Sequence, residues 1–171
     1  MTTKDTNILL PSFSVLLKHP VQLLALGFGS GLAPKAPGTF GTLAAIPFYF
    51  MFSSAFFEWQ LLIVIVAFFV GIYLCNVTAT ALGVHDHPAI VWDEFVGFWL
   101  TMLVLPLMGV SLDWLLLLLG FVAFRFFDII KPWPILWVDK KVHGGFGIMF
   151  DDVLAGVYSG LVLAIVIHWF Y

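Results

Sequence analysis

Apolar residues in this chain run on over stretches of helical length. They neither alternate with polar ones at a strand period nor recur as a single stripe of a helix. The tail is the extreme case: Val153 to Tyr171 contains no Asp, Glu, Lys or Arg. Backbone polar groups in hydrocarbon must be satisfied within their own segment, so such runs predict helices. Five runs qualify: Gly41 to Phe57, Leu61 to Cys75, Phe95 to Val110, Trp114 to Phe127, and Val153 to Phe170. Several fall short of the ~20 residues a straight span needs, which predicts a thinned or partly interfacial arrangement at their edges. A sixth run, Val21 to Leu32, is short and broken by glycine, and is placed at the membrane interface.

Composition turns this pattern into a membrane assignment. Of 171 residues, 62% are apolar and 10% charged, with a mean hydropathy of +1.08; soluble domains carry roughly 25% charged residues. The expected fold is all-α, a polytopic helical membrane protein with about four to five embedded helices. The length suits a single domain over 1–171, with residues 1–20 forming an N-terminal cytoplasmic or interfacial segment. That segment is interrupted by Pro11, Lys18 and Pro20 and reads as mature sequence rather than a signal peptide. A net charge of −3 gives no basis for nucleic-acid binding. The single cysteine, Cys75, lies in an apolar run, which suits packing and precludes an intramolecular disulfide.

The connections sort the chain into two sides. Glu58 to Gln60 joins the first two runs, and Gly109 to Asp113 joins the third and fourth. The other connections are long. If each run crosses once, the long segments share one side and the short turns the other. All 7 Lys and Arg residues lie on or at the boundary of the long-segment side. The positive-inside rule makes that side cytoplasmic. Asp86, Asp93, Glu94, Asp128, Asp151 and Asp152 fall there too. Polar stretches from distant parts of the chain therefore meet at one face: Gly27 to Thr42, His85 to Glu94, Arg125 to Lys131, and His143 to Asp152.

Each stretch has a chemical reading. In "VHDHPAIVWDEFVGFW", Asp93 and Glu94 stand at the entrance of an apolar run. An acid at a helix N-terminus is favoured by about 0.3–1 kcal/mol, but capping accounts for one acid and not two. In "FRFFDIIKPWP", Arg125, Asp128 and Lys131 recur at intervals that share one helical face. An ion pair between Arg125 and Asp128 is the structural reading; phosphate binding by Arg125 and Lys131 is the functional one. In "HGGFGIMFDDVLAG", either Asp151 or Asp152 alone could cap the last helix, whereas adjacent carboxylates repel unless a cation lies close. Gly144, Gly145 and Gly147 would let backbone approach a ligand. Oxygen donors without cysteine favour Mg²⁺, with Mn²⁺ as the other option, over zinc. "GFGSGLAPKAPGTFGT", with Lys35, lacks phosphate-loop spacing and reads as an anion-binding nest only beside a metal. His85 and His87 form an H-x-H pair without a third zinc ligand. Trp92, Trp99, Trp133 and Trp137 read mostly as lipid or headgroup contacts.

Together these four ordered motifs resemble the phosphatidylglycerophosphatase A family of bacterial membrane enzymes, over about Leu24 to Tyr158. The resemblance implies a Mg²⁺-dependent phosphatase of the bacterial inner membrane, multi-pass, with its site facing the cytoplasm. The implied reaction removes the terminal phosphate of phosphatidylglycerophosphate to give phosphatidylglycerol. Its partners would be that substrate and membrane lipids. The residue assignments that fit are Glu94, Asp128, Asp151 and Asp152 for Mg²⁺, and Lys35, Arg125 and Lys131 for the phosphate. Asp93 or His85 is the candidate general base, with Asp128 and Asp152 also in the catalytic set. A covalent phospho-aspartyl route is an open alternative to water attack. A membrane cation transporter using the same acids is the competing class. It would place charges at mid-span in broken helices, whereas here they gather at one face.

Overall fold

The computed structural model describes residues 13–84 and 86–170. The expectations for His85, and for most of the 1–20 segment, lie outside the described residues. Among those described, every regular element is helical. The helices are α1 (Phe13–Leu16), α2 (Pro20–Ala25), α3 (Pro37–Phe52), α4 (Phe57–Leu82), α5 (Trp92–Met102), α6 (Val104–Leu107), α7 (Trp114–Ile130), α8 (Ile135–Lys141) and α9 (Gly144–Phe170), with a 3₁₀ turn over Gly27–Leu32 between α2 and α3.

Local sequence sets several of the boundaries. Pro37 opens α3, where its missing N–H costs nothing and its φ is already helical. Asp113 caps α7, its carboxylate accepting a hydrogen bond from the Leu116 N–H at 2.8 Å. The α4 helix ends on Gly83 at φ +69°, a left-handed cap that glycine adopts without a side-chain penalty.

Three boundaries differ from the sequence reading. Glu58 to Gln60 belong to the first turn of α4, and the connection is Ser53 to Phe56. The Gln60 amide reaches back to donate to the carbonyls of Ser53 and Ala55, at 3.0 and 2.8 Å. The third run breaks after Met102, so α5 has 11 residues and is only about 16 Å long. Finally, α9 begins at Gly144 and not after Asp152. Asp151 and Asp152 therefore lie about two turns inside a helix, and neither caps it. The glycines ahead of them face their own chain rather than a ligand. A Cβ on Gly145 would fall 2.0 Å from the Ile72 carbonyl oxygen, and one on Gly147 2.2 Å from that of Val142.

Two helices, α4 with 26 residues and α9 with 27, are long and apolar enough to cross a membrane. Only 28% of the span window in each is buried, so most of that apolar surface points outward. A core helix of a soluble protein would be mostly covered. At the centre, α9 packs against α4, α5, α7 and α8. The short α5 is buried almost all round. Its indoles, read from the sequence as lipid or headgroup contacts, are instead buried in the bundle: Trp92 donates to the Ala67 carbonyl at 3.0 Å and Trp99 to that of Ala45 at 2.9 Å. Trp133 and Trp137, by contrast, are exposed.

The contact between α5 and α9 is a seam of small residues. A Cβ on Gly156 would lie 2.6 Å from the Gly97 carbonyl oxygen, and one on Gly97 2.8 Å from that of Asp152. Thr101 Oγ1 lies 3.0 Å from the Gly97 carbonyl in its own helix and 3.4 Å from that of Gly156 across the seam. Gly156 and Gly160 supply the small-xxx-small spacing that lets helix backbones approach in an apolar solvent.

Candidate active site

The glycine seam positions acids. Gly97 follows Asp93 and Glu94 by one helical turn, and Gly156 follows Asp152 by one turn. Residues three and four apart share a helix face. Bringing Gly97 against Gly156 therefore brings the acids one turn back into register. Asp93, Glu94 and Asp152 each offer an oxygen within 4.8 Å of the others. Glu94 is 8% exposed and Asp152 3%.

These acids open into a cavity of about 270 Å³ at one end of the bundle. Its walls come from all the polar stretches singled out in the sequence. Ala36 to Gly38 enter from the start of α3, Asp86 from the loop before α5, Arg125, Asp128 and Lys131 from the end of α7, and Asp151 from α9. The connections Ser53 to Ala55 and Gly109 to Leu112 line a separate cavity with the opposite ends of α3 and α4. The polar stretches do share one end of the molecule, and the short turns share the other.

Within the cavity the charges are apportioned. Arg125 pairs with Asp128 one turn further along α7, and its Nη1 lies 3.7 Å from Glu94. Lys131 closes α7 in a left-handed conformation, φ +45°. Its Nζ bridges Asp139 of α8 and Asp151 of α9, at 2.5 Å from each. Burial works against the Lys131 charge, but the Asp151 and Asp139 carboxylates outweigh it and hold the ammonium above the usual lysine range. Asp151 is thus committed to a lysine, while Asp152, its neighbour in sequence, turns toward Asp93 and Glu94. Gly38 presses on the pair behind it: a Cβ there would meet Glu94 Oε1 at 2.2 Å.

The donor set fits a hard cation. Asp93 Oδ1, Glu94 Oε2 and Asp152 Oδ2 are buried and accept no hydrogen bond among the described residues. Buried carboxylate oxygens left in this way carry a large desolvation cost unless a cation meets them. The sequence assigned the metal to Glu94, Asp128, Asp151 and Asp152. The convergent set is Glu94 and Asp152 joined by Asp93, while Asp128 and Asp151 stand in the same cavity tied to Arg125 and Lys131. Lys35 is exposed and does not line the cavity. His87 serves its own turn: Nδ1 accepts from the Ala89 N–H at 3.1 Å. Burial lowers its pKa, partly countered by Asp86. Sequence reasoning missed Gly38 and Asp139. No spacing signals Asp139, because a proline-broken turn separates it from Lys131.

An all-helical, mostly apolar protein with two helices long enough to cross a membrane, and with buried carboxylates and an arginine in one end-on cavity, has the groups of a class of protein that handles a cation and an anionic ligand together. The comparisons narrow it. The family profile described as phosphatidylglycerophosphatase A matches residues 23–167. Phosphatidylglycerophosphatase A of Escherichia coli (strain K12) is 52% identical over 156 residues, 90% of this chain and 87% of that protein. Phosphatidylglycerophosphatase A of Haemophilus influenzae is 45% identical over 160 residues, 93% of this chain and 96% of that protein. No solved structure matches. The chain belongs to the phosphatidylglycerophosphatase A family, and it is a phosphatase. The transporter reading finds no support.

Proposed function

We propose that this chain hydrolyses the terminal phosphomonoester of phosphatidylglycerophosphate, releasing phosphatidylglycerol and inorganic phosphate in a Mg²⁺-dependent reaction. The observation that carries this is the convergence of the Asp93, Glu94 and Asp152 oxygens beside Arg125 in one cavity. Asp93, Glu94 and Asp152 would hold Mg²⁺, with Asp128 and Asp151 supporting them. When bound, the ion neutralises charge on the phosphoryl group and makes water more acidic.

The protein's own groups do the remainder. Arg125 presents a planar fork suited to two phosphate oxygens. Lys131 has three N–H donors; Asp139 and Asp151 occupy two, leaving one for a phosphate oxygen. Asp93, through the carboxylate oxygen that does not meet the cation in this reading, takes the proton of the attacking water. The new bond joins water oxygen to phosphorus, the bond from phosphorus to the glycerol oxygen breaks, and the departing oxygen takes up the proton that Asp93 accepted, which returns the carboxylate to its starting state.

The setting is a multi-pass protein of the bacterial inner membrane, with about four to five embedded helices and the cavity facing the cytoplasm. Support comes from the outward apolar surface of α4 and α9 and from the one-sided placement of Lys and Arg. Phosphate release by purified protein from phosphatidylglycerophosphate and from phosphatidic acid, with Mg²⁺ and with chelator, tests the reading. Mg²⁺-dependent release from the first substrate is expected. Equal release under chelation, or none at all, would reject it.

A further inference from the structure

The segment between α7 and α9 has two faces of different chemistry. On the inner face of α8, Ile135 and Val138 are buried against the bundle. Toward the outside, Trp137 of α8 is 56% exposed and Trp133, in the turn before it, 80%, and Lys140 and Lys141 are exposed as well. Trp137 and Lys140, three apart in α8, share one helical face, and Trp133 stands exposed in the turn just before the helix, so the three make up one outward stripe. Among the described residues neither lysine is ion-paired. Lys141 precedes the start of α9, a candidate membrane span, by only a few residues, so the stripe lies where that span would meet the membrane surface.

We propose that this stripe is a docking surface for anionic lipid headgroups, and that docking organises the neighbouring cavity. The inference rests on the membrane reading given under Proposed function. Tryptophan rings settle at headgroup level, and each lysine beside an anionic leaflet shifts a local equilibrium by about fivefold. Exposed lysines beside exposed indoles match a negatively charged lipid surface, where a neutral surface would leave the charges unanswered. The route inward is already built. Asp139 lies between Val138 of the buried face and Lys140 of the exposed one. It shares the Lys131 ammonium with Asp151, a wall of the cavity. Seating α8 on headgroups therefore constrains Lys131 and Asp151 together.

The test uses the full-length protein reconstituted in nanodiscs of phosphatidylcholine, with or without 30% phosphatidylserine, and trace phosphatidylglycerophosphate with Mg²⁺. Turnover should rise at least about threefold with phosphatidylserine. The double variant Lys140→Gln/Lys141→Gln should lose that rise while keeping neutral-disc turnover within about twofold. Asp139→Asn should lose it too. A second readout does not depend on catalysis: an environment-sensitive fluorophore on Leu136→Cys should shift to the blue with phosphatidylserine, and the double lysine variant should abolish the shift. Turnover and emission that ignore phosphatidylserine, or that respond equally in the lysine variant, would overturn the docking surface. An emission shift without activation of turnover would overturn its coupling to the site. Absence of phosphatidylglycerophosphate turnover in both discs would reject the proposed function, and emission alone would then decide docking.

Discussion

Gly156 lies so close to Gly97 that a Cβ on the first would sit 2.6 Å from the carbonyl oxygen of the second. This contact between α9 and α5 carries Asp152 to Asp93 and Glu94, one turn away. The geometry of the acid cluster therefore depends on residues that have no side chain.

Gly156→Ala should push the helices apart at a backbone atom that cannot yield. Overpacking of this kind costs about 1–3 kcal/mol, and turnover should fall at least tenfold as the acids separate. Gly160→Ala is the control. Its nearest contact would be an ordinary 3.7 Å from the Thr101 carbonyl oxygen. Melting in detergent and turnover should both change for the first variant and scarcely for the second. Equal behaviour would show that the seam does not set the site.

Gly38→Ala tests the opposite side of the cavity. Its new methyl would meet Glu94 Oε1, a movable side-chain atom. The protein should keep its stability, lose turnover and need more Mg²⁺. A variant with wild-type Mg²⁺ dependence would separate Glu94 from the cation.

Glu94→Gln and Asp152→Asn retain shape and remove charge. As cation ligands they should cost at least roughly a hundredfold in turnover, beyond the about 10–100-fold of supporting groups. Asp151→Asn should fall in the milder range, because Asp151 answers Lys131. Mg²⁺ titrations of activity and of thermal stability would rank the three. A reversed order would transfer the ligand role to Asp151.

Arg125 can grip phosphate or merely neutralise Asp128. If it is only a partner, Arg125→Ala strands a largely buried carboxylate, a loss of about 3–5 kcal/mol, and adding Asp128→Ala restores stability. If it holds phosphate, Arg125→Ala folds and fails to turn over, and Arg125→Lys rescues it poorly because lysine lacks the planar fork. Melting temperature and turnover, measured together, distinguish the two.

Membrane sidedness is open to labelling. Cys75 is buried, so cysteines placed at Lys141 and Ser111 report on their own positions. Lys141→Cys should react from the cytoplasmic side and Ser111→Cys from the other. Reaction of both from one side would remove the single-face arrangement.

The sequence by itself determined that the protein is helical and apolar, and which family it belongs to. It also grouped the polar stretches at one end, because the alternation of long and short connections dictates which helix ends coincide. It did not determine which side of each helix faces inward. Runs that are apolar all round have no periodicity, and so contain no information about rotation about the helix axis. That rotation decides the site. It separates Asp151, held by Lys131 and Asp139, from Asp152, turned toward Asp93 and Glu94. It buries Trp92 and Trp99 while leaving Trp133 and Trp137 outside. The tertiary structure sets it through close backbone contacts between residues far apart in the chain, Gly97 with Gly156 and Gly145 with Ile72. Only one rotation of each helix lets two backbones touch, and whatever stands a turn away on that face is brought together with them.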